Sequence, residues 1–263
     1  MRGLIALLFL FAVGVNALMM KPKASVPPSE QLKAVEELIV RQGFPLELFR
    51  LELLNEEIEV FEIEGEQLGS DKENVIVIRA TSGISAASGF NYYLKEYLFI
   101  QIAWEGSQKN FQTPLPIPPN KIRVERSSSM SYYKNVCTES YTSAFWGWNE
   151  WEFDIDWMAL NGINLPLVLI GQEYIWTEVY KELYQFELQD LHNFFVGPAF
   201  LAWGHMGNIQ GFGGPLPKSF IDSQFDLLKQ VLNRMRQLGM TPVLPAFAGI
   251  FFFFLFFFKN SFE

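Results

Sequence analysis

Residues 163–169 (INLPLVL) form a nearly unbroken apolar run, and no other segment constrains the fold as much. A strand with one wet face alternates polar and apolar residues. A strand without that alternation is buried on both faces, as in a parallel sheet covered by helices. Before the run, Trp148, Trp151, Ile155 and Met158 recur at helical spacing, and Gly162 ends the helix. After it come Gly171, Gln172 and Glu173, then a second helical stretch to Tyr184. Upstream, residues 132–136 read as a strand whose loop carries Asn135, Cys137, Thr138 and Tyr141. Strand, polar and aromatic loop, helix, repeated, is the pattern of a (β/α) barrel, which holds ligands at the C-terminal ends of its strands.

The pattern continues past a Gly/Pro/aromatic excursion over 198–217, which contains Trp203 and reads as a functional loop. An amphipathic helix follows over 219–238, then a third strand over 241–245. A closed barrel of this type needs about eight strands, so an incomplete barrel is expected.

The first part of the chain is different. A helix over 30–42, capped by Ser29 and ended by Gly43, precedes strands over 49–54, 58–63 and 75–78. A helix over 84–97 follows, with Ala86, Ala87 and Gly89 letting it pack closely on a sheet, and then a strand over 99–104. The expected fold is therefore α/β: a small N-terminal α/β domain followed by an incomplete TIM-type (β/α) barrel. Its segments are a signal peptide at 1–17, the α/β domain at 25–109 and a proline-rich linker at 110–126. The first part of the barrel occupies 127–249, and a Phe-rich tail 250–263.

Arg2 and the apolar stretch over 4–15 have the form of a secretory signal, and about twelve apolar residues cannot cross a bilayer. The run IFFFFLFFF over 250–258 is also too short for a stable membrane span. The expected location is the secretory pathway, either the lysosome or outside the cell. Cys137 is the single cysteine, so no intrachain disulfide can form. The net charge of −9 without a basic stripe argues against nucleic acid as a partner. Two histidines and no ligand-spaced cluster argue against a zinc site, and nothing calls for a cofactor.

The acids of the N-terminal region alternate with apolar residues and read as a solvated sheet face. Glu139, Glu150 and Asp154 read as surface charges, Glu173 as a structural hydrogen-bonding group, and Trp148, Trp151 and Trp157 as core.

The central stretch resembles glycoside hydrolase family 89, the α-N-acetylglucosaminidases. The resemblance rests on Tyr132-Tyr133-x-Asn135-Val136-Cys137-Thr138, on Asp156-Trp157-Met158-Ala159-Leu160-Asn161-Gly162-Ile163-Asn164-Leu165 and on Gly171-Gln172-Glu173-x-Ile175-Trp176. It continues through Gly197-Pro198-Ala199-Phe200-Leu201-Ala202-Trp203-Gly204 and through Gly239-Met240-Thr241-Pro242-Val243-Leu244-Pro245-Ala246-Phe247-Ala248-Gly249. It implies release of terminal α-linked N-acetylglucosamine from a glycan such as heparan sulfate, with retention, in an enzyme whose full-length members are oligomeric. It implies substrate contacts at Asn135, Cys137, Tyr141, Trp203 and His205, the last standing where an arginine is expected. The catalytic glutamates of the family lie beyond the last matching block. The chain is therefore expected to be a truncated, inactive relative, with the Phe-rich tail a splicing artefact. The alternative is a non-catalytic carbohydrate-binding or interaction protein.

Overall fold

The structure, a computed structural model, describes residues 24–68 and 73–245. The expected signal peptide and the Phe-rich tail lie outside these residues.

Helix α1 (Pro28–Arg41) buries Leu32, Val35, Leu38 and Ile39 on one face. Ser29 lies inside it rather than capping it. Pro28 opens the helix, because a fixed φ and a missing N–H suit the first turn. Strands β1 (Phe49–Leu53), β2 (Val60–Leu68) and β3 (Glu73–Ala80) follow, then helix α2 (Gly83–Tyr97). A short hairpin joins β4 (Gln101–Ala103) to β5 (Gly106–Gln108). Within the stretch read as a linker, β6 (Ile122–Glu125) pairs with β2 and completes a sheet of order β1-β3-β2-β6. Ile122 and Val124 pack on the core, and this alternation lets a segment next to the prolines join the sheet edge.

The sheet's charged residues neutralise one another. Arg79 bonds Glu52 and Glu64, Arg50 bonds Glu52 and Glu66, and Arg123 bonds Glu56 and Glu62. The other side lies under α2. A Cβ on Gly89 would stand 3.0 Å from Ile78 and 3.1 Å from Phe61, so the glycine is what allows this approach.

The second half contains β7 (Tyr132–Tyr133), α3 (Trp148–Leu160), β8 (Leu165–Pro166), α4 (Gln172–Tyr184), α5 (Leu201–His205) and α6 (Lys218–Gln237). Strands β7 and β8 are parallel, with Tyr132 opposite Leu165 and Tyr133 opposite Pro166. Leu167 bridges Val243 in parallel, and the Thr241 N–H donates to the Asn164 carbonyl, so the expected third strand persists as a short stretch of backbone contacts over 241–243. Pairing is shorter than the apolar run because Pro166 has no N–H to give. Its carbonyl accepts from Val243 at 2.8 Å.

One apolar core runs from Leu32 to Met240 and includes α1, α2, α3 and α6. The two halves are thus packed as a single body. A second cluster, with Tyr180, Leu191, Phe195, Leu201 and Ile221, lies under the excursion, which folds as a 3-10 turn (Pro198–Phe200) and α5. Among the described residues no helix is long and apolar enough to cross a membrane.

Candidate active site

The residues after β7 form a tight 3-10 turn, Val136–Ser140, because Asn135 caps it: its Oδ1 accepts from the Cys137 N–H at 2.8 Å. That contact occupies the carbonyl end of the side chain and leaves the amide Nδ2 as a donor. Cys137 is half-buried in the same turn, and its thiol is free. Tyr141 follows the turn and is 72% exposed. Its ring and that of Trp203 form an edge-to-face pair, with centroids 5.2 Å apart and planes at 79°. Two aromatic rings at a right angle, one of them largely exposed, are a platform that suits a ligand with an apolar face and a polar rim.

Trp203 reaches that position because α5 is tied back to the β7 turn. Ser140 Oγ accepts from the Ala202 N–H at 2.8 Å. His205, on the same short helix, lies beneath the platform. Its Nδ1 is 3.1 Å from Glu139 Oε2 and its Nε2 is 2.6 Å from Glu173 Oε1. Its side chain is only 7% exposed, and Trp176 packs edge-on against the ring. Of the expected substrate contacts, Asn135, Cys137, Tyr141 and Trp203 gather around the β7 turn and α5. His205 belongs to the layer below, with both nitrogens engaged.

Burial alone would disfavour the imidazolium, but Glu173 and Glu139 outweigh it and raise the His205 pKa to about 10. Burial pushes Glu139 upward, opposed by the His205 charge. Glu173 makes the structural hydrogen bond expected of it. Glu139 is not the surface charge the sequence suggested; it is 5% exposed. Nor is Asp154, which is fully buried and bonded by Lys134 at 3.1 Å. The Lys134 ammonium sits 4.5 Å from the Trp146 ring centre and 4.3 Å from that of Trp151. Glu150 is on the surface, where it accepts from the Gly147 N–H at the start of α3. The buried acids were missed because their partners are remote in sequence. The available signal was the adjacency of Lys134 to the Asn135 motif and of His205 to Trp203.

Among the described residues no group of His, Cys, Asp and Glu is arranged to hold a metal ion.

Residues 131–251 match the profile of the alpha-N-acetylglucosaminidase (NAGLU) tim-barrel domain, and residues 33–117 match that of the NAGLU N-terminal domain. The chain is 47% identical to human alpha-N-acetylglucosaminidase over 182 residues, 69% of this chain and 24% of that protein. It therefore spans about a quarter of the length of that relative. Solved structures of a family 89 glycoside hydrolase from Clostridium perfringens match it at a TM-score of 0.77 and 32% identity, over 84% of this chain and 25% of theirs. One of them holds 2-acetamido-1,2-dideoxynojirimycin. Another, with two glutamates changed to glutamine, holds the substrate GlcNAc-α-1,4-galactose. Matched by both domain profiles in order, by the human enzyme and by the bacterial structures, the chain belongs to the alpha-N-acetylglucosaminidase family.

Proposed function

We propose that this chain builds one wall of a pocket for a terminal α-linked N-acetylglucosamine, on the opening strands of an incomplete (β/α) barrel. The observation that carries the proposal is the right-angled pair of Tyr141 and Trp203, with Tyr141 directly after the Asn135-capped turn that follows β7. The relative from Clostridium perfringens, solved with a GlcNAc-α-1,4-galactose substrate, supports the choice of sugar. Within this reading the whole enzyme acts as an exo-glycosidase on glycans ending in that sugar, follows the secretory route to the lysosome or the exterior, and works as an oligomer.

Retaining hydrolysis needs two carboxyl groups about 5–5.5 Å apart, one to attack and one to transfer protons. The acids nearest the platform, Glu139 and Glu173, are each bonded to His205 and buried. Neither is free to play those parts. The 263-residue polypeptide is therefore proposed to bind the sugar without cleaving it.

The test uses the purified polypeptide with an aryl α-N-acetylglucosaminide and with free N-acetylglucosamine. The expected result is no turnover above an empty-vector control, together with sugar binding that Trp203→Ala abolishes. Turnover would overturn the non-catalytic reading, and binding indifferent to Trp203→Ala would overturn the placement of the pocket.

A further inference from the structure

The contacts of His205 exceed what a buried filler residue requires. Both ring nitrogens lie within hydrogen-bond distance of carboxylate oxygens, at 3.1 Å and 2.6 Å. An ionised carboxylate only accepts, so both nitrogens must donate, and the ring that satisfies both is the imidazolium. The three side chains are 7%, 6% and 4% exposed, so water cannot substitute for any of these bonds.

The three groups come from three different elements. Glu139 is in the turn after β7, Glu173 is in the first turn of α4, and His205 ends α5. Glu139 stands two residues before Tyr141, and His205 two residues after Trp203. The buried contact Glu139–His205 and the exposed contact Tyr141–Trp203 are thus successive rungs between the same two segments. The Ala202–Ser140 hydrogen bond makes a third. Helix α5 has only five residues and cannot hold its own orientation.

We propose that His205 is a positioning residue: a cationic staple that binds the β7 turn and α4 to α5 and so holds the Tyr141–Trp203 platform at its right angle. It acts from below and does not touch the sugar. The staple stands on its own contacts; only its consequence for sugar binding rests on the function proposed above. The other charges facing it are the Lys134–Asp154 pair, with Lys134 acting on Glu139. Their opposite signs leave the cluster in need of the His205 charge.

The test is nitrogen-15 NMR of the histidine-labelled 263-residue chain, in which His192 is the only other histidine. His205 is expected to show two protonated-type nitrogens from about pH 6 to 8.5. A contact between the Tyr141 and Trp203 rings is expected by nuclear Overhauser effect. His205→Gln, which keeps a polar group but cannot bond both acids as a cation, should lose that contact and weaken N-acetylglucosamine binding at least about tenfold. His205→Arg, whose charged fork can donate to two carboxylates, should restore both. A neutral His205 ring at pH 7, an unchanged Tyr141–Trp203 contact in His205→Gln, or no recovery in His205→Arg would each overturn the staple. If His205→Gln does not fold, the ring signature and the arginine variant decide. Should the sugar bind nowhere, the pocket reading fails while the ring signature and the Tyr141–Trp203 contact still decide the staple.

Discussion

Arg41 grips Asp156 with two hydrogen bonds, from Nε at 2.9 Å and from Nη2 at 3.0 Å, and so joins α1 to α3 across the two halves of the molecule. Arg234 reaches the same carboxylate at 3.3 Å from α6. The Asp156 and Arg234 side chains are 2% and 5% exposed. Asp156→Ala leaves the Arg234 charge buried without this partner and is expected to destabilise the chain by about 3–5 kcal/mol. Arg41→Ala keeps the Arg234 contact and should cost less. Urea midpoints of the two variants, at unchanged slope, provide the comparison.

The same residue sets a pH dependence. Burial raises the Asp156 carboxyl from 3.8 to about 6, against the pull of Arg41. The folded chain therefore holds this proton more tightly than the unfolded chain. The resulting stabilisation is full below about pH 4 and lost as pH rises through about 6, on the order of 3 kcal/mol. His205 works in a higher window. Its contribution is full below its ordinary 6.5 and lost as pH climbs through about 10. Melting curves against pH should flatten in the acid window for Asp156→Asn and in the alkaline window for His205→Gln.

Lys134 and Asp154 form a buried pair, 7% and 1% exposed, and the ammonium also lies against the rings of Trp146 and Trp151. Removing either charge strands the other and should cost about 3–5 kcal/mol. Lys134→Met combined with Asp154→Leu removes both charges at similar volume and should recover most of that loss. A double-mutant cycle in urea will show strong coupling if the pair is the unit of stability.

Gly83 opens α2 where three elements converge. A Cβ there would lie 2.6 Å from the Leu238 carbonyl oxygen and 2.9 Å from Gln31 Cβ. Its N–H donates to Gln31 Oε1 at 2.8 Å. Gly83→Ala must push α1 or the end of α6 aside, and overpacking of this kind costs about 1–3 kcal/mol. Thermal melts of the alanine variant should show it as a lowered midpoint.

Local patterns carried much of this fold. Helix α3 spans Trp148–Leu160 as its spacing of large apolar residues predicts, and α6 differs from its expected span by one residue at each end. Strands were less legible because a strand's length depends on what pairs with it. Residues 163–169 are apolar throughout most of their length, yet Pro166 and a short β7 limit the ladder. The edge strand β6 was hidden by the prolines before it, since four residues with only Ile122 and Val124 alternating give a weak signal until β2 pairs with them.

For the site, the strand-loop-helix pattern located the turn after β7 and the long excursion that contains Trp203, but only the family resemblance attached a sugar to them. The pairing of Asp154 with Lys134 and of Glu139 with His205 was missed. A lone acid in a sequence reads as wet until its counter-charge, 20 or 66 positions away, is brought beside it.

The longest and the shortest strand ladders among the described residues are very unequal, and that inequality has a kinetic meaning. Strands β2 and β3 are zipped from Phe61 opposite Ala80 to Leu68 opposite Glu73, whereas β7 meets β8 only at Tyr132 and Tyr133. Amides of the long ladder should exchange with deuterium only through rare, large openings, and those beside the platform through frequent small ones. The N-terminal sheet is then the anvil of the molecule, and the two-rung ladder of β7 and β8 is where its breathing begins.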